Sequence, residues 1–113
     1  MRRYLDCHAS LGMHGPTDAR VPWRLPELLA DLRHAGIHGA LVYHWLAREY
    51  DPGYGNHALL GEIADHRDRL VPCWVLLPHH TGEMAPGPEV VRAMQAHGVR
   101  AARMFPRRHR YRF

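Results

Sequence analysis

The 113-residue chain has no lysine, so all 15 of its basic side chains are arginine. That absence removes every mechanism that needs an ε-amino group: a Schiff base, a phosphate-loop lysine, or a carboxylated lysine bridging two metals. Cysteine is scarce as well. Cys7 and Cys73 show neither CxxC spacing nor the density of a disulfide framework, and both are read as free thiols buried in the core. Long apolar runs are missing. The longest, Leu70 to Leu77, is broken by Pro72 and falls far short of the roughly 20 residues of a membrane helix, so no membrane partner is expected. At the N-terminus, Asp6 and His8 arrive where a signal peptide would carry its apolar segment, and a cytoplasmic protein is expected.

What remains is an ordinary globular composition, 46% hydrophobic and 9% aromatic, enough for one domain with a modest core. The formal charge of +4 is concentrated near the end, in Arg107, Arg108, Arg110 and Arg112. Such a cluster reads first as a solvated tail and second as an anion-binding loop for a carboxylate or phosphate. Nucleic acid is the least favoured partner, because the excess does not form a face.

Periodicity divides the chain into repeating units. Strand-like runs at Arg3–His8, Gly39–His44, Leu70–Leu77 and Arg100–Phe105 begin about every thirty residues, the length of one βα unit with its loops. Helical patterns lie between them. The first starts around Pro26 and carries Leu28, Leu29 and Leu32; the second follows Pro52, with Asn56 as its expected N-cap and Leu59, Leu60 and Ile63 inward; the third opens at Pro88 and Glu89 and stops at Gly98. Single helices between successive strands force the strands to run parallel, and a near-continuous apolar strand such as Val71–Leu77 suits a sheet buried on both faces. The fold class is therefore α/β, with four parallel strands and a helix between each pair. Ser10-Leu11-Gly12-Met13-His14-Gly15 is not the G-x-G-x-x-G turn of a dinucleotide-binding open sheet, which favours a partial (β/α) TIM barrel.

In parallel α/β folds the chemistry collects at the carboxyl ends of the strands. His8 and Ser10 fall at the first such end, His44 and Trp45 at the second, His79 and His80 at the third, and Arg107, Arg108 and His109 at the fourth. The run Asp6-Cys7-His8-Ala9-Ser10-Leu11-Gly12 resembles the opening D-x-H-x-H-x-G motif of the amidohydrolase superfamily, particularly its amidohydrolase-related, decarboxylase-like branch. Asp6, His8 and Gly12 match, whereas Ser10 stands where the second histidine belongs. The resemblance implies that residues 1–113 form the N-terminal half of a (β/α)8 barrel, with His8 as a ligand to a divalent metal, zinc foremost, and Asp6 as its acid–base neighbour. It also implies a small-molecule substrate met by Ser10, His44, Trp45, His79 and Arg107, and hydrolysis of a C–N or C–O bond or a related decarboxylation.

A hydroxyl is a poor divalent-metal ligand beside imidazole, so Ser10 places both the metal and the activity in question. The alternative is a non-catalytic barrel fragment or binding module without a cofactor. A barrel of this kind takes about 250 residues, and three readings follow: a truncated product, a half-barrel that completes itself as a homodimer, or one piece of a split enzyme. Bland readings stand beside each functional one. His8 is equally a strand-end histidine, and His44, His79 and His80 are exposed loop histidines. Asp6 caps the turn after it, Trp23, Trp45 and Trp74 are packing residues, and Cys7 faces away from Asp6 and His8 into the core.

Overall fold

The computed structural model describes residues 2–13 and 24–112. Trp23, read from the sequence as a packing residue, lies outside them. The described chain is α/β. Four strands, β1 (Leu5–Leu11), β2 (Gly39–His44), β3 (Leu70–Val75) and β4 (Ala101–Arg103), form one sheet in the order β1-β2-β3-β4, and every neighbouring pair is parallel. The helices are α1 (Leu25–His34), α2 (Trp45–Glu49), α3 (Pro52–Glu62), α4 (Gly87–Ala96) and α5 (Pro106–His109). The sheet is open among the described residues, with β1 and β4 as its two edges.

Alternation along the strands separates two faces. Ala9 and Leu11 of β1, Ala40 and Val42 of β2, and Leu70 of β3 pack against Leu28 and Leu32 of α1 and Leu59 and Ile63 of α3, and all nine are buried. The helical spacing of Leu28 and Leu32 puts them on one stripe, and Pro26 sits in the first turn where its missing N–H has no cost. The other face carries Tyr43, Cys73 and Val75, with Trp45, Ala101 and Phe105 packed beside them.

Two local departures from the expected pattern position the site. β1 extends to Leu11, so Ser10 belongs to the strand and not to the loop after it. Within β1 the pairing slips: Asp6 is in register with Ala40 and Ala9 with Val42, three residues against two. That bulge breaks strict alternation. It places Asp6 in register with the helix-covered side and leaves Cys7 exposed, correcting the expectation of a buried Cys7. Cys73 is buried as expected.

The second helical region is also built differently. A separate helix, α2, follows β2 directly, and α3 begins at Pro52 with Asp51 as its N-cap, its carboxylate accepting from Tyr54 N at 2.7 Å. Asn56 is therefore not the cap. It lies buried inside α3 and pairs with Val75, donating from Nδ2 to the carbonyl at 3.0 Å and accepting its N–H at 2.9 Å. The amide side chain continues the hydrogen bonding of β3 beyond Pro72, the last position at which β2 pairs with it. Gly55, one residue earlier, allows α3 to touch α2, because a Cβ there would sit inside the backbone of Ala47.

Candidate functional site

A cleft of about 840 Å³ is lined by His8, Ser10, Tyr43, Trp45, Arg48 and Phe105 at the carboxyl ends of the strands, and by Asp6, Leu28, Asp31, Leu32, His34 and Ile37 on the side of α1. Tyr43 is its centre. It is buried at 3% exposure, in register with Ser10 across β1 and β2, and hydrogen bonded to the Ser10 hydroxyl. Three rings surround it: His8 at 5.6 Å edge-on, Phe105 at 5.5 Å and Trp45 at 6.4 Å between centroids. Burial raises the Tyr43 phenol above its usual range and outweighs the opposing pull of Arg48, Arg103 and the Ser10 bond. The ring therefore stays neutral in the pH range where proteins work.

Two guanidinium groups converge on this aromatic floor. Arg103, the last residue of β4, lies over the Tyr43 ring at 5.7 Å and donates to the backbone carbonyl of Cys7 on β1. Flat sheets hold strands three places apart at roughly 14 Å. One side chain spanning that distance means the sheet is concave toward Tyr43. Arg103 Nε is buried without an oxygen acceptor, and the same guanidinium lies near Cys73, whose thiol is raised by burial despite that positive charge. Arg48 stacks on Trp45 at 4.5 Å and on Phe105 at 5.2 Å, and it pairs with Glu49. A stacked, planar guanidinium of this kind can bond a planar anion through whichever of its edge donors the Glu49 carboxylate does not take.

The terminal arginine cluster is exposed, as expected of a solvated segment, and one member of it, Arg108, is paired. α5 docks on α2 through Arg108, which pairs with Glu49, and through His109, whose Nε2 hydrogen bonds with the Arg48 carbonyl at 2.7 Å. Because a carbonyl can only accept, that nitrogen carries the proton. Arginines at the opposite pole are structural too: Arg69 donates to the carbonyls of His38 and Ile37, and Arg67 to those of His97 and Gly98.

The residues expected from sequence divide accordingly. His8, Ser10 and Trp45 come together on the concave face. Asp6 lines the cleft, but its carboxylate is engaged by the His8 backbone N–H at 2.8 Å. His44 is not an exposed loop histidine. Buried at 3% exposure, it caps α2 by accepting from Leu46 N at 3.1 Å and pairs through Nε2 with Glu62 at 2.9 Å, so both ring nitrogens serve the fold. Gly12 explains the glycine of the motif: its φ is +96°, and a Cβ would meet the His44 ring at 2.9 Å. His79 bonds to the Met84 carbonyl outside the cleft, and Arg107 is exposed on α5. Arg48, Arg103 and Tyr43 were not singled out as site residues, though Tyr43 and Arg103 sit on the same strand alternation that selected His8.

The donor set can be tested against a divalent metal. His8 has Tyr43 beside it and Arg103 lies over the same ring, while Asp6 is committed to backbone. Among the described residues, no three His, Cys, Asp or Glu side chains gather to hold a metal ion. The described residues do not fit a zinc site.

Comparison of the chain with protein-family models, with characterised proteins and with solved structures finds no match. No described helix is long and apolar enough to cross a membrane.

Proposed function

We propose that this chain is a binding module of amidohydrolase-like, half-barrel design that takes a small organic anion at the mouth of its concave face. The observation that carries the reading is the convergence of Arg48 and Arg103 on one aromatic floor, Tyr43, Trp45 and Phe105, at the carboxyl end of a parallel sheet. Carboxylates match this chemistry. A guanidinium at a partly desolvated site binds a carboxylate through charge-assisted hydrogen bonds of about 1.5–3 kcal/mol, roughly 10- to 100-fold in affinity. The rings supply a flat apolar wall for the rest of the molecule. Calorimetric titration with benzoate tests this directly: binding is expected to weaken at least tenfold in Arg103→Met and hardly at all in Arg107→Met.

A second reading is favoured by one observation, the placement of His8 on the concave face at the end of β1. It is the metal-dependent hydrolase or decarboxylase that the D-x-H motif suggests, with Asp6 as its acid–base group and the remaining ligands supplied by further strands. A second copy of the chain, pairing edge to edge into eight strands, is one source of such strands. Stoichiometric zinc that is lost in His8→Ala, in a species of dimer mass by light scattering, would establish this reading over the first.

A further inference from the structure

A second cleft lies on the opposite face of β3, beneath α4, and the mouth plays no part in it. Its volume is about 280 Å³, larger than an engineered cavity of about 150 Å³ that stays dry and binds benzene. The apolar walls are Leu60, Trp74, Leu76, Met84 and Val90. All five are only partly buried. α4 is amphipathic in pattern, with Val90, Val91 and Met94 at helical spacing, yet it has no buried residue. The helix stands off the sheet it should cover, which leaves apolar surface unfilled on both sides of the gap.

One polar group in these walls is unsatisfied. The Trp74 indole Nε1–H is buried and has no hydrogen-bond partner, a condition that disfavours the empty cleft. Asn56 does not serve it; the bonds its amide makes go to the Val75 backbone. The His97 ring lies beside the indole at 5.8 Å between centroids, tilted by 47°. The geometry points to a binding site for a small, single-ring molecule that carries one hydrogen-bond acceptor. The ring fills the space under α4 and the acceptor takes the indole proton. α4, having no buried residue of its own, is the wall that moves outward to admit it.

Acetophenone and isopropylbenzene are probes of nearly equal size, and only the first has an acceptor. In ¹H–¹⁵N spectra of the full chain, with the Trp74 indole signal identified by its loss in Trp74→Phe, acetophenone is expected to move that signal and to bind about tenfold more tightly than isopropylbenzene. In Trp74→Phe the two probes are expected to bind equally, because the proton that distinguishes them is removed, while the smaller ring changes the space for both alike. Ala93→Leu, which fills the cleft from α4, is expected to abolish both. An indole signal that acetophenone leaves unmoved, or equal affinity for the two probes in the unsubstituted chain, overturns the proposal.

Discussion

The two faces of the sheet are built from the same four strands but obey different rules. On the helix-covered face, Leu11, Val42, Leu59, Ile63 and Leu70 are completely buried in one apolar cluster. On the concave face Tyr43, Ala47, Cys73 and Val75 are buried, and around them stand Arg48, Arg103, Trp45 and Phe105, all partly open to solvent. Stability resides in the first face. The second keeps charge and aromatic surface in contact with water, which is how a protein holds a binding site at the expense of packing.

The largest effects should come from breaking the covered face. Leu59→Ala removes a fully buried side chain and is expected to cost about 3 kcal/mol in chemical denaturation, as is usual for leucine in a packed core. Gly55→Ala should be at least as damaging, since the added carbon meets Ala47 backbone and not a side chain that can turn away. Asn56→Ala follows, at roughly 2–4 kcal/mol, because it leaves both the N–H and the carbonyl of Val75 unpaired in a buried setting. On the concave face, by contrast, Arg103→Met is expected to change stability by less than about 1 kcal/mol while removing most anion affinity. Equal stability losses on both faces would erase the distinction.

Smaller effects sharpen it. Cys7 is exposed and Cys73 is buried with its thiol raised, so a thiol reagent should modify Cys7 at once and Cys73 only on unfolding. Mass spectrometry of partially labelled protein reads this. The smallest expected effect concerns pH. The Tyr43 phenol is raised in the folded state, so above about pH 10 the unfolded chain loses its proton first and the folded form becomes progressively less stable. That alkaline slope should shrink in Tyr43→Phe. A slope unchanged by the substitution would mean that burial of the phenol is not its source.

Sequence patterns exposed the covered face well. Leu28, Leu32, Leu59 and Ile63 follow helical spacing, β2 was delimited at Gly39–His44, and parallel order followed from helices lying between strands. The concave face was harder to read. Alternation from His8 led to Ser10 and stopped there, because the bulge between Asp6 and Ala9 is invisible to periodicity. Arg48 escaped because α2 is only five residues long, too short for a periodic signal, and Arg103 because its role depends on a curvature that no single strand encodes. Asn56 and His44 were misread for one physical reason. A polar residue near an expected helix start suggests a cap or an exposed loop, whereas both instead satisfy groups brought from distant parts of the chain: Val75 for Asn56, and Glu62 for His44.

The account rests on a concave face that selects negative charge. Titrating the purified chain with benzoate and with benzamide, its neutral counterpart of nearly the same shape, isolates that property in one comparison. Benzoate should bind at least tenfold more tightly. Equal binding of the two, or preference for benzamide, would contradict it.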